Sequence, residues 1–215
     1  MGAALVTAGL LAALGATPVD TWDAQVDFHI GATRLELTGL ERQLADIGLG
    51  RSHRHYAVLG LGGRVGAEGL WLVAETSILA RDDLGGDDGA PFTGFGLVGV
   101  GATIVDLPRF EVTPTFSLGA VRARFSALDP EADERVPVSA TAALLSIDVD
   151  AQVVVPLPSD RSIRVGVRAG YMFALAHSDW TVQESVDLDA GADARFSGPR
   201  LMLTIGGGLS LRRGD

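Results

Sequence analysis

No cysteine occurs in the 215 residues, so disulfide scaffolds, thiolate metal sites and cysteine nucleophiles are excluded from the start. Lysine is absent too: all 17 basic residues are arginines, which we read as a coding bias of the source. They form no basic block, and the net charge is −10, which argues against nucleic acid as a partner. Aromatics are scarce, with two tyrosines and three tryptophans, which leaves little material for aromatic girdles. Long hydrophobic runs are also missing, apart from Ala3 to Ala16. That run is too short to span a bilayer as a helix. Its small residues, ending at Leu14-Gly15-Ala16 before Thr17-Pro18, read as the apolar region and cleavage site of a secretory signal, although no basic residue precedes Arg34. Residues 1–18 are therefore expected to be a signal-like segment, and 19–215 a single domain.

What the chain does have is alternation. Between Ser139 and Ala176, two long segments flank the turn Leu157-Pro158-Ser159-Asp160-Arg161. In the first, Leu145, Ile147, Val149, Ala151, Val153 and Val155 alternate with Ser146, Asp148, Asp150 and Gln152. In the second, Ile163, Val165, Val167, Ala169, Tyr171, Phe173 and Leu175 alternate with Arg164, Gly166, Arg168 and Gly170. A period of two sorts these residues onto opposite faces of a strand. At roughly fifteen residues, such strands are about three times the usual soluble length. One wholly apolar face beside a polar one suits a barrel wall between lipid and an ion-paired interior.

The same pattern predicts six further strands. Ala24, Val26, Phe28, Ile30 and Ala32 oppose Gln25, Asp27, His29 and Thr33 in the first. A capping box at Thr38-Gly39-Leu40-Glu41, then Leu44 and Ile47 at helical spacing and a stop at Gly48, predict a short helix in the first long loop. Its apolar side is expected at the barrel mouth or on the membrane surface. Tyr56 to Val65 and Leu70 to Arg81 form a hairpin about Gly66-Ala67-Glu68-Gly69. Phe92 to Val105 is a glycine-laden strand with a bulge expected between Gly96 and Gly99. Phe110, Val112, Phe116, Leu118 and Ala120 oppose Glu111, Thr113, Thr115 and Ser117, with Pro114 acceptable only at a bulge. Leu201, Leu203, Ile205, Leu209 and Leu211 alternate with Met202, Thr204, Gly206, Gly208 and Ser210 in the last. The expected fold is all-β: an eight-stranded antiparallel up-and-down barrel.

Connection lengths alternate. The helix and three acidic loops, at Asp82 to Gly89, Ala127 to Pro137 and His177 to Gly198, are long, and the connections between them are tight turns. Long loops at one end, short turns and both termini at the other, are the layout of an outer-membrane barrel. A soluble barrel carrying an apolar ligand would turn the apolar faces inward, and so remains an alternative.

With the apolar faces outward, the polar faces line a narrow lumen. Centring the turn on Ser159 sets Asp150 opposite Arg168 and Asp148 on the diagonal, and Arg164, Glu75 and Arg64 complete an expected structural charge network, with Asp27 and His29 as further members. Arg122 and Arg124 fall on the outward phase, high enough to reach headgroups. Catalytic candidates are weak. His177-Ser178-Asp179 sits at the rim, but neighbours on a strand point to opposite faces, so the serine and histidine do not meet. His53 and His55 share a face without a carboxylate nearby, and the acidic loops lack the spaced aspartates of a dedicated calcium site. No catalytic residue, metal or cofactor is assigned. A rim enzyme acting on lipid is kept as an alternative.

The eight-strand plan, the hairpin Ala57-Val58-Leu59-Gly60-Leu61-Gly62-Gly63 with Leu70-Trp71-Leu72-Val73-Ala74-Glu75, and the closing Gly198-Pro199-Arg200-Leu201 resemble small bacterial outer-membrane β-barrel proteins of the uncharacterised barrel-domain type. The resemblance implies an outer-membrane location with membrane lipid as the surroundings; eight strands are too few for an open pore, so the expectation is a monomer with a plugged or narrow lumen and a structural or surface-interaction role, with an extracellular ligand or divalent cation at the acidic loops. The chain departs from that type in ending Leu211-Arg212-Arg213-Gly214-Asp215 and not on an aromatic residue.

Overall fold

The computed structural model describes residues 21–36, 42, 44–46, 48, 55–80, 93–129, 134–178, 180–182, 186–188 and 196–212. Eight long strands close on themselves. They are β1 (Thr21–Arg34), β2 (His55–Ala67), β3 (Leu70–Ala80), β4 (Thr93–Ala102), β6 (Phe110–Asp129), β7 (Glu134–Leu157), β8 (Arg161–His177) and β11 (Gly198–Arg212). Each is antiparallel to its sequence neighbour, β1 pairs with β11, and the β6–β7 ladder completes the ring. Three short strands extend it: β5 (Val105–Leu107) beside β6, and β9 (Trp180–Val182) and β10 (Val186–Leu188) beyond β7.

The tight turns have the geometry their residues favour. Ala67 pairs with Leu70, and the two residues between them, Glu68 and Gly69, have φ of 52° and 78°. Two positive φ values make a primed turn, whose twist matches the flanking strands, and Gly69 takes its place in it without steric cost. Between β7 and β8 the turn is one residue longer, Pro158 to Asp160, with Ser159 and Asp160 again at positive φ (65° and 55°), and Asp150 lies opposite Arg168 in the expected register.

Two expectations are corrected. The β4 register runs unbroken from Gly94–Arg122 to Gly101–Thr115, so there is no bulge between Gly96 and Gly99. The phase only looked switched, because Phe95 and Leu97 are apolar residues that point inward whereas Val98 and Val100 point outward. The extra residue comes later: Gly101 faces Thr115 but Val105 faces Val112, so the β4–β5 chain takes one step more than β6. Pro114 lies opposite this bulge, where the β4–β5 ladder skips and a missing N–H costs least. Finally, strand pairing extends into the second and third acidic loops: β6 and β7 pair up to Asp129–Glu134, and β9 and β10 form a hairpin against β7. Their carboxylates had masked the alternation.

The facing of the wall is decided by burial. Ser146, Asp148, Asp150 and Gln152 are at most 2% exposed, whereas Ile147, Val149, Val153 and Val155 are 45–50% exposed. The other strands follow suit, with Val26, Leu61, Val98, Leu118, Val165 and Leu203 outward. On β6 the outward phase from Phe110 to Ala120 holds no charge; ten steps at ~3.3 Å, tilted by about 40°, make a belt about 25 Å tall. A soluble carrier requires the reverse facing.

The lumen has two storeys. Toward the long-loop end the inward phase is apolar, and Tyr56, Val58, Leu79, Phe95, Leu97, Val138, Leu144, Met172 and Met202 pack there with Leu35 and Phe196. Residues 44–46 form a helical turn ended by Gly48 (φ 80°), and Leu44, 1% exposed, joins this cluster. Of the two places expected for the helix, Leu44 takes the mouth; Thr38, Leu40, Glu41 and Ile47 lie outside the described residues. Below the apolar cap the lumen is polar.

Glycine makes the polar storey possible. Gly170 pairs with Asp148 on one side and Arg200 on the other, and with no side chain between them these two meet over the intervening strand. Gly60 stands likewise between His29 and Ser77, and Gly62 between Asp27 and Glu75. A Cβ at Gly170 would collide with Asp148 Oδ1 and the Ile147 carbonyl, whereas one at Gly207, on the outward phase, would meet nothing closer than Ser162 O at 3.9 Å. Gly170→Val should therefore lower the unfolding free energy by about 1–3 kcal/mol, the cost of overpacking, while Gly207→Val should not. Denaturant titration of both purified variants checks the contrast.

Candidate functional site

The middle of the lumen gathers charges from five strands. Glu75 of β3 accepts from Arg168 Nη1 at 2.8 Å and from Arg200 at 2.6 and 3.2 Å. Arg168 also donates to Asp150 at 2.8 Å. Asp148, expected near Arg168, instead receives both Nε and Nη2 of Arg200, at 2.7 and 2.6 Å, and the Ser146 hydroxyl at 2.8 Å. Asp27 lies 3.9 Å from Arg168 and 3.5 Å from His29 Nδ1. Two arginines are thereby shared among four carboxylates, and the fork geometry fixes which oxygens they take.

A second cluster lies nearer the short turns. Arg64 donates to Gln25 at 2.6 Å, Glu111 at 3.0 Å, Gln152 at 3.1 Å and Thr113 at 3.3 Å. Its guanidinium lies 4.3 Å from the Trp71 ring, whose Nε1 donates to Thr103 at 2.8 Å. Arg164 pairs with the same Glu111 oxygen. All six residues expected in the network line the lumen, but in two groups: Glu75, Asp148, Asp150 and Arg168 in the middle, Arg64 and Arg164 below. Arg200 was missed although it lies on the inward phase of β11, two positions before Met202, and the alternation contained that signal. Glu111 was assigned to the inward face without its partners.

One trio has the order of a nucleophilic triad: Ser77 Oγ lies 2.7 Å from His29 Nε2, and His29 Nδ1 lies 3.5 Å from Asp27. The serine hydroxyl has a second acceptor, Glu75 Oε1 at 3.1 Å, and a proton given to that carboxylate leaves the imidazole Nε2 as donor to the serine, an arrangement that does not activate it. None of the three exceeds 3% exposure, so no substrate reaches them. At the rim, the Ser178 hydroxyl accepts from the Thr141 N–H at 3.0 Å; Asp179 and His53 lie outside the described residues, as does the His177 side chain. His55 is exposed, and no group of metal-ligating side chains occurs among the described residues.

No protein-family model matches the chain, and no curated protein sequence matches it. Solved structures do share its outline. Neisserial surface protein A is similar over 88% of this chain and 96% of its own, at 10% identity and a TM-score of 0.45. A major outer membrane protein from Thermus thermophilus is similar over 87% of this chain and 99% of its own, at 14% identity and a TM-score of 0.41. The outer membrane protease OmpT from Escherichia coli is similar over 91% and 98%, at 10% identity and a TM-score of 0.35.

Glu75 serves two guanidiniums, Asp150 one of them. Glu75→Gln should accordingly cost about 3–5 kcal/mol, by leaving both arginines short of a counter-charge in the buried lumen. Asp150→Asn, which leaves Arg168 its bond to Glu75, should cost clearly less. The order of the two unfolding midpoints checks this.

Proposed function

We propose that this chain is a monomeric bacterial outer-membrane β-barrel with a closed lumen, serving a structural or surface-interaction role. The observation that carries the reading is the outward belt: about 25 Å of uncharged, half-exposed aliphatic and aromatic side chains, with the charges of the same strands turned inward. In water such a belt would be an apolar patch far larger than soluble monomers expose. In lipid it is what the hydrocarbon requires. Both ends of the barrel strands, at Thr21 and Arg212, lie on the short-turn side, which faces the periplasm in such barrels and leaves the long connections outside.

The closed lumen rests on two features. The apolar cap, including Leu144, Val138 and Met172 at 0% exposure, fills the outer end. Beneath it, interlocked arginine and carboxylate groups occupy the space that eight strands enclose, too little for an open aqueous pore. What remains accessible to partners is the loop end, where an extracellular ligand or a divalent cation would meet the acidic segments.

The decisive experiment is fractionation followed by gel migration with and without boiling. The protein should leave the outer membrane only with detergent, and the unboiled band should migrate differently from the boiled one. Release without detergent, with no shift on boiling, would refute the membrane reading. In planar bilayers the reconstituted barrel should give no steady open-channel current; a sustained current would refute the closed lumen.

A further inference from the structure

The outward belt ends sharply on β6. Above Phe116, Leu118 and Ala120, the next two outward positions are Arg122 and Arg124, both exposed. Two residues apart on one face, they stand about 7 Å from each other along the strand. The height calculated for the belt puts them at the level where hydrocarbon gives way to headgroups, on the side of the long loops. Arginine directly above an apolar belt in a chain of net charge −10 is a local reversal of sign that the fold itself does not need.

Their surroundings are polar. Arg122 pairs across the ladder with Thr141, and Arg124 with Ser139. Ser139 Oγ lies 3.1 Å from Thr181 Oγ1 of β9, and the Thr141 N–H is held by Ser178. Beneath, Thr93 Oγ1 accepts from the Arg124 N–H at 3.0 Å and donates to its carbonyl at 3.2 Å, fixing the backbone at that height beyond the end of the β4 pairing. No carboxylate occupies the outward phase of β6 from Phe110 to Arg124, or of β7 from Ser139 to Val155. By contrast Arg34, on the opposite side of the ring, has Glu36 two residues along its own chain.

We propose that Arg122 and Arg124, together with the hydroxyls of Ser139 and Thr141, form a binding site for the phosphate group of a glycolipid in the outer leaflet. Guanidinium forks suit phosphate oxygens, hydroxyls supply further donors, and the apolar belt immediately below receives the acyl chains of the same molecule. The site rests on the membrane reading above and adds the class of lipid and the residues that take it.

The test uses the full barrel purified in detergent, its folded state verified by the boiling shift, with diphosphorylated lipid A as the probe and the dephosphorylated form as the comparison. The wild-type protein should bind the phosphorylated form roughly tenfold or more tightly, the size expected for charged hydrogen bonds. Arg122→Gln/Arg124→Gln should lose most of that preference while keeping the boiling shift, and Arg34→Gln should retain it. A folded barrel that binds both forms equally, a double variant that discriminates as well as wild type, or equal competition by phosphatidylglycerol would overturn the site alone. A wild-type protein soluble without detergent would overturn the membrane reading beneath it.

Discussion

Charge buried in a narrow lumen is the constraint on which this structure depends. Each carboxylate or guanidinium turned inward loses its water, and that loss is recovered only when a partner stands at hydrogen-bonding distance. In a ring of eight strands the space for such partners is small, and direct neighbours across a ladder do not suffice. The chain answers with glycine at the inward positions of intervening strands. Asp148 and Arg200 lie on strands two places apart, yet they form a bidentate pair because Gly170 leaves the way open. The abundance of glycine is thus tied to the ion pairs, in addition to any role in turns.

The remaining features follow from that arrangement. A strand that sends its charges inward must send its other phase outward, and here that phase is aliphatic. Toward the loop end the inward phase turns from polar to apolar. Phe95, Leu97, Leu144 and Met172 pack together there, with Leu44 reaching in from the first connection, and Arg200 lies beneath them 5.7 Å from the Phe95 ring. Exposed arginines on the outer surface then mark the limit of the apolar belt, where charge is again cheap to hold.

Much of this is legible in the order of residues alone. The alternation in Leu145 to Val155 and Ile163 to Leu175 identifies both the strands and their inward residues, and the Asp150–Arg168 register follows from the position of the turn. The alternation misleads where the inward phase stops being polar. Phe95 and Leu97 point the same way as Ser77 and Asp148, so a rule equating inward with polar takes them for a change of phase and places the bulge too early. It also misleads where strands carry acidic residues beyond the barrel, as in Asp129 and Glu134.

The sequence by itself determined the number of barrel strands and the division of each into two faces, because a period of two is a local property of the chain. Only the tertiary structure decided which face is inside, and which charge meets which. Those depend on closure: Arg168 of β8 reaches Glu75 of β3 across the lumen, and Arg64 of β2 shares Glu111 of β6 with Arg164 of β8. Such contacts join residues far apart in the chain and not adjacent in the sheet, and they exist only because the last strand returns to pair with the first.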